Sequence, residues 1–337
     1  MTLLKWRVFS AALVLTILVI APGLTKAQDA QPMSQISLGS SSTGGGLTGG
    51  RLAGEDTSFG GDVTSASSTA GPEAVAFDGT YVWVATQFNN SITRIRVSDG
   101  TLAGTFTVGK RPVALLYAAG TLWVANLLSN NVMKVTPSTG AIAGTIAVGD
   151  GPGGLAFDGK NIWVANRHSN NVTKLSAKGS VLGTFAVGGD RPIGLAFAAD
   201  SIWVANNFSN SVTRLSTEGA LLKTYAVGRG PFGVASDGES VFVTNYFGKT
   251  VTKLRASDGL ELATFKVGDG AAGIAFDGKT LWVVNNGDST VMRLSPSTGE
   301  IIATYSTGKG PFSIAFDGTR VWVPNFGSNS VSTTAAN

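Results

Sequence analysis

The chain has 337 residues, 43% of them hydrophobic, with 45 glycines, no cysteine and a formal charge of +4. The length allows a large core to be buried. The missing cysteines exclude disulfides, thiolate catalysis and cysteine-based metal sites. The charge is not a signature of nucleic-acid binding. Lys5, Arg7 and Lys26 all fall in the first 27 residues, with no acid beside them, and the rest of the chain holds 22 basic against 21 acidic residues.

Residues 1–27 read as a secretory signal peptide. Lys5 and Arg7 form a charged start, Phe9 to Ala21 is mostly apolar, and Pro22-Gly23 breaks the run. Cleavage is expected near Ala27, with Ala30 as the alternative. The apolar run is shorter than a spanning helix requires, so no stable membrane insertion is expected after cleavage; an uncleaved anchor is the competing reading. Export places the protein in a secreted, periplasmic or cell-surface location. Residues 28–55 are rich in glycine and serine and are predicted to be a flexible linker.

Residues 56–337 are predicted to be one repeat domain. Trp83, Trp123, Trp163 and Trp203 are 40 residues apart, Phe242 follows 39 later, and Trp282 and Trp322 return to the period of 40. Pro72, Pro112, Pro152, Pro192, Pro231 and Pro311 keep the same beat, with Ala271 in the place of the missing proline. One unit reads as four strands. Gly154-Leu155-Ala156-Phe157 meets the turn signal Asp158-Gly159. Ile162-Trp163-Val164-Ala165 is apolar on both faces, Val172-Thr173-Lys174-Leu175 alternates, and Thr184-Phe185-Ala186-Val187 completes the set. A strand apolar on both faces must be covered on both sides. Radial stacking of such sheets achieves this, with the tryptophan wedged between neighbours. The expectation is therefore all-β: a seven-bladed β-propeller of four-stranded antiparallel blades, about 40 residues each, without helices. The seventh unit lacks its fourth strand. Thr57 to Gly61 resembles Thr264 to Gly268 and is predicted to supply it, closing the ring from the N-terminal side.

Trp163-Val164-Ala165-Asn166 followed by Ser169 to Leu175, together with Val241-Phe242-Val243-Thr244-Asn245, resembles the YVTN family of β-propeller repeats. This resemblance implies a propeller in an exported protein and no particular activity. The Gly-Pro-x-Gly-Leu-Ala-Phe-Asp-Gly pattern is also similar to streptogramin (virginiamycin B) lyase propellers. That likeness implies a lyase or hydrolase with a site at the channel mouth, built from histidine, acidic groups and a metal. His168 is the only histidine here, so that catalytic set does not carry over. Similar propellers also accompany quinoproteins, but no cofactor ligand in this chain supports that link.

Gly149 to Gly154 matches G-x-G-x-x-G, yet it leads into a strand rather than a helix, which removes the phosphate-cradle reading. The Asp-Gly pairs read as turns. The asparagines ending the second strands (Asn126, Asn166, Asn206, Asn245, Asn285 and Asn325) read as turn caps bonded to backbone rather than as a ligand ring. No catalytic residue, metal site or cofactor is expected. Binding residues are sought where the repeats differ, on the loops of one face. There six bases (Lys110, Arg111, Arg167, Arg191, Arg229 and Lys309) mix with four acids (Asp150, Asp190, Asp269 and Asp288). The candidate ligand-binding rim is Arg111, Arg167, His168, Arg191, Phe208, Arg229, Tyr246 and Phe247, since arginine and aromatic side chains dominate recognition surfaces. The functional expectation is a monomeric, non-enzymatic binding module. Its partner is an unidentified protein or an anionic polymer, either an acidic glycan or single-stranded nucleic acid.

Overall fold

A computed structural model describes residues 30–38 and 70–336. These form seven sheets, each with four antiparallel strands and one with a fifth, parallel strand at its edge, and no helix. Blade 1 runs through Pro72–Phe77, Tyr81–Thr86, Ser91–Arg96 and Leu102–Thr107, and each later repeat follows the same order. In blade 7 the innermost strand is short, Ala315–Phe316, with Pro311 bridging to Asn325.

The second strand of each blade is the buried layer, and its tryptophan works as a wedge. Trp163 packs against Ile202, Val204 and Leu215 of the next blade. Trp322 packs against Val82, Val84 and Ile95, joining blade 7 to blade 1. Six tryptophans and Phe242 fill the seven gaps, each with at most 1% exposure. Over six of these rings lies a cation from the third strand: Arg94, Lys134, Lys174, Arg214, Lys253 and Arg293. The first five also donate to a backbone carbonyl of the following blade, as from Lys174 to Thr217 and from Arg214 to Ser257. The cation that looks like surface charge in one repeat is thus a clasp between two.

The Asp-Gly hairpins are turns, as predicted, with a second task. In blades 1, 3, 6 and 7 the aspartate accepts the buried indole N–H at 2.7–2.8 Å, from Trp83, Trp163, Trp282 and Trp322. Burial alone would raise the Asp158 carboxyl, but hydrogen bonds from Trp163, Asn161 and Lys160 outweigh it and hold the carboxyl below its ordinary value. A group with a lowered folded pKa contributes stability that is full above the ordinary carboxyl range and is lost as pH falls through the folded value. Asp158→Ala is expected to cost about 1–3 kcal/mol by stranding a buried N–H. Asp237→Ala in blade 5 is the internal control. Phe242 has no N–H there, and only the turn bonds to Glu239 and Ser240 are lost. Equal losses of melting temperature would show that the indole bond contributes nothing.

Two expectations need correction. The strand that completes blade 7 is Ser34–Ser37, paired antiparallel with Ser330 to Thr333. It lies inside the stretch read as linker; residues 57–61 lie outside the described residues, as does the signal segment. Gln31–Pro32 adds in parallel to Tyr305–Ser306 on the edge of blade 6. Between the two strands Met33 fills the gap of blades 6 and 7, and Leu38 fills that of blades 7 and 1. The six asparagines are fully buried. Their amides bond to third-strand side chains, such as Asn171 and Thr173 for Asn166, rather than to turn backbone.

Candidate functional site at the channel mouth

The two loops on the upper face of each blade are tied together by backbone bonds. Arg167 N donates to Gly151 O and Tyr246 N donates to Gly230 O, and all seven blades repeat the contact. The loop residue after the second strand (Gln87, Leu127, Arg167, Asn207, Tyr246, Asn286 or Phe326) turns inward and is buried or half-buried. The next residue is exposed in every blade, as at Phe88, Leu128, His168, Phe208 and Phe247.

A second inward ring comes from the innermost strands. Their pairing breaks after the proline (Ala271 in blade 6), skipping one residue in blades 1 to 3 and two in blades 4 to 6, and leaves a bulge. A bulge re-aims the unpaired side chain. The residues placed this way are Glu73, Val113, Gly153, Ile193, Phe232 and Ala272; Phe312 holds the same place in blade 7. All but Ala272 line a channel cavity of about 170 Å³, where aliphatic side chains alternate with glycine backbone, Ser313, Glu73 and Arg167.

Polar and apolar groups are segregated around this mouth. The cationic side is built on blades 2, 3 and 4. Arg111 and Arg191 stand at φ +56°, where the other five blades carry glycine at φ +58° to +68°. Holding a bulky residue in this region is uncommon and unfavourable, and such residues gather at functional sites. Side chains of the preceding blade fix the geometry. Asn90 and Asn170 accept the N–H groups of Arg111 and Arg191 at 2.9 Å. Arg111 Nε donates to the buried Gln87 at 2.6 Å. The Arg191 guanidinium lies over the Phe208 ring, 4.5 Å from its centroid. Arg167 takes a different course from its counterparts Asn207 and Asn286, which donate to proline carbonyls of the next blade. It folds across Gly153 and donates to that residue's carbonyl at 3.2 Å. A Cβ at position 153 would stand 1.9 Å from Arg167 Nε, so glycine is what leaves room for the guanidinium in the channel. The Nε atoms of Arg167 and Arg191 are buried without a hydrogen-bond partner.

Glu73 is the acid facing these cations. Burial raises its carboxyl above the ordinary value, and Arg167 and Arg111 pull it partly back. Burial lowers Arg167; Glu73 opposes this, while Arg191 and Arg111 reinforce it. The guanidinium remains charged at any ordinary pH.

The opposite side is aromatic. Phe247, Tyr246, Phe232, Phe312, Phe326 and Phe88 form an unbroken chain of ring contacts, with centroids 5.1–6.2 Å apart. Phe232 and Phe312 stack across blade 6, where the small Ala272 separates them. Tyr246 donates its hydroxyl to Asn286 at 2.9 Å.

The eight residues picked from the sequence therefore separate. Arg167 lines the channel with Arg111 and Arg191 close enough to act on its charge, Tyr246 joins the aromatic side, and Phe208 supports Arg191. Phe247 sits edge-on to Tyr246 as the exposed end of the chain. His168 and Arg229 are exposed on the outer rim. So are the four acids, which serve the loops: Asp150 and Asp190 accept from Asn130 and Asn170, Asp269 pairs with Lys249, and Asp288 accepts Asp269 N–H. Glu73, Phe232 and Phe312 escaped the sequence reading. The signal was the variable residue after each repeat's proline.

The fold and this mouth define a seven-bladed β-propeller with an arginine-and-aromatic entrance to its channel. No family model and no curated protein sequence matches the chain. Among solved structures it is similar to a streptogramin B lyase, at 19% identity and TM-score 0.69, covering 79% of this chain and 94% of that one. It is similar to hydrazine synthase of Kuenenia stuttgartiensis at 20% identity and TM-score 0.71, covering 80% and 97%. A catalytically inactive histidine-to-alanine virginiamycin B lyase from Staphylococcus aureus, with quinupristin, matches at 20% identity and TM-score 0.69, covering 79% and 95%. Identities this low establish the shared propeller fold alone. No three His, Cys, Asp or Glu side chains converge as a metal site among the described residues.

Proposed function

We propose that this is an exported, non-enzymatic propeller of the YVTN repeat type that binds an anionic ligand at its channel mouth. The carrying observation is Arg167, set in the channel wall beside Glu73 with Arg111 and Arg191 close enough to act on its charge, and with the buried Nε donors of Arg167 and Arg191 still unpartnered. Buried donors without partners are rare in native proteins, and a ligand satisfies them. Like charges held together in a concave, partly apolar mouth attract a counter-charge more strongly than the same charges spread on a rim. The inward convergence favours a compact acidic group, free or at the end of a polymer, over a polymer lying along the rim. A lyase-like role has the shared fold in its favour, but the single histidine lies outside the mouth.

The reading is tested by calorimetric titration at low ionic strength with phosphate, an acidic oligosaccharide and single-stranded DNA. The wild-type protein is compared with the triple variant Arg111→Gln, Arg167→Gln, Arg191→Gln. Binding of a compact acidic group should weaken with salt and vanish in the variant. Polyanion binding that survives the variant would move the site to Arg229, Lys110 and Lys309 on the outer rim. No heat from any anion would refute the reading.

A further inference from the structure

The cationic arc is only half of the mouth, and a bare anion leaves the other half unused. Resting on the anion-binding reading above, we infer that the ligand is a monocyclic aromatic carboxylate, its ring on the Phe232 and Phe312 side and its acid on the Arg167 side. The argument is one of size, wall chemistry and polarity. The cavity holds about 170 Å³, close to the volume of about 150 Å³ that accepts a benzene ring. Its walls include Val113, Leu155, Ile193 and Ile274. Against these four side chains sugar hydroxyls would find no partners, whereas the face of an aromatic ring is buried favourably. Phe232 and Phe312 present ring surface to the cavity, are already stacked on each other, and extend to Tyr246 and Phe326. A third ring joins such a cluster favourably in an offset or edge-on arrangement. On the other side Arg167 lines the cavity and offers a planar fork that matches a carboxylate. Glu73, on the same ring of side chains, disfavours a second acid on the ligand.

The test uses four small probes: phenylacetate, acetate, benzyl alcohol and glucuronate, each titrated into the full-length protein at low salt. Phenylacetate should bind roughly tenfold or more tighter than each of the others, the ring contributing by stacking and burial. Phe232→Leu should bring phenylacetate down toward acetate, and Arg167→Gln should bring it down toward benzyl alcohol. The melting temperature of each variant reports whether the fold is intact. If the Arg167 variant does not fold, Arg191→Gln serves in its place. Equal binding of phenylacetate and acetate would overturn the aromatic assignment while leaving the anion site in place. Glucuronate or benzyl alcohol matching phenylacetate would overturn it as well. Failure of both phenylacetate and acetate would remove the anion site itself.

Discussion

Removal of residues 30–38 is expected to destabilise the whole propeller far more than removal of residues 1–29 alone. The segment gives blade 7 its fourth strand, and its flanking residues Met33 and Leu38 are 5% and 3% exposed in two different interblade gaps. Burying such side chains contributes about 1.5–3 kcal/mol each, so their loss alone amounts to roughly 3–6 kcal/mol. That is a large share of the 5–15 kcal/mol typical of a domain. The deletion also frees the edge of Ser330–Ala335, an invitation to intermolecular pairing. Leu38→Ala is the milder probe, at about 2–5 kcal/mol. Thermal melts of the two truncations and the point variant decide the matter. If the 1–38 truncation melted with the 1–29 truncation, closure by this strand would carry no energetic weight.

This strand shows where the sequence stopped being legible. The inner strands announce themselves because each must satisfy two neighbours at once, which fixes tryptophan, β-branched residues, asparagine and the Asp-Gly turn at constant spacing. A fourth strand has one edge paired and one face in water, and Ser34-Gln35-Ile36-Ser37 needs only Ile36 to meet the core. So few constraints left no motif to find, and a segment with a closer sequence likeness, residues 57–61, was chosen in its place. The asparagines were misread for a related reason. Their spacing was plain, but a buried amide bonded to the third strand and a capping amide bonded to a turn look alike in one dimension.

The site divides along the same line. Arg111 and Arg191 were legible because they interrupt a glycine position in a repeat, and a departure from a repeat is visible without coordinates. Arg167 was visible as a rim base, but its inward course depends on the absent side chain of Gly153, 14 residues earlier in the chain and in contact with it in space. Glu73, Phe232 and Phe312 were invisible because alternation within a strand predicts direction only where the ladder is regular. The bulge after the proline breaks that alternation, and it breaks it where the channel is lined.

The charge of the mouth yields the second large effect. Arg167→Gln is expected to weaken binding of benzenesulfonate, which stays ionised at all working pH values, by roughly ten- to a hundredfold, since a hydrogen bond to a charged group contributes about 1.5–3 kcal/mol. Glu73→Gln should do the opposite and tighten it, by removing the one negative charge that faces Arg111 and Arg167. The Glu73 carboxyl is raised by burial, so as pH falls through its folded pKa it becomes neutral, the mouth gains positive charge, and the wild-type protein should bind the sulfonate more tightly in acid. Glu73→Gln should lack this rise. Stability follows the same titration. A raised folded pKa means that the contribution of Glu73 is full below the ordinary carboxyl value and is lost as pH rises through the folded one. Glu73→Gln should therefore melt higher than wild type at neutral pH and alike in acid. Sulfonate titrations and melts across pH 4–8 test both. A wild-type affinity that stayed level with pH, or a Glu73→Gln variant less stable at neutral pH, would mean that Glu73 is held by a partner other than the arginines and is not the counter-charge of the mouth.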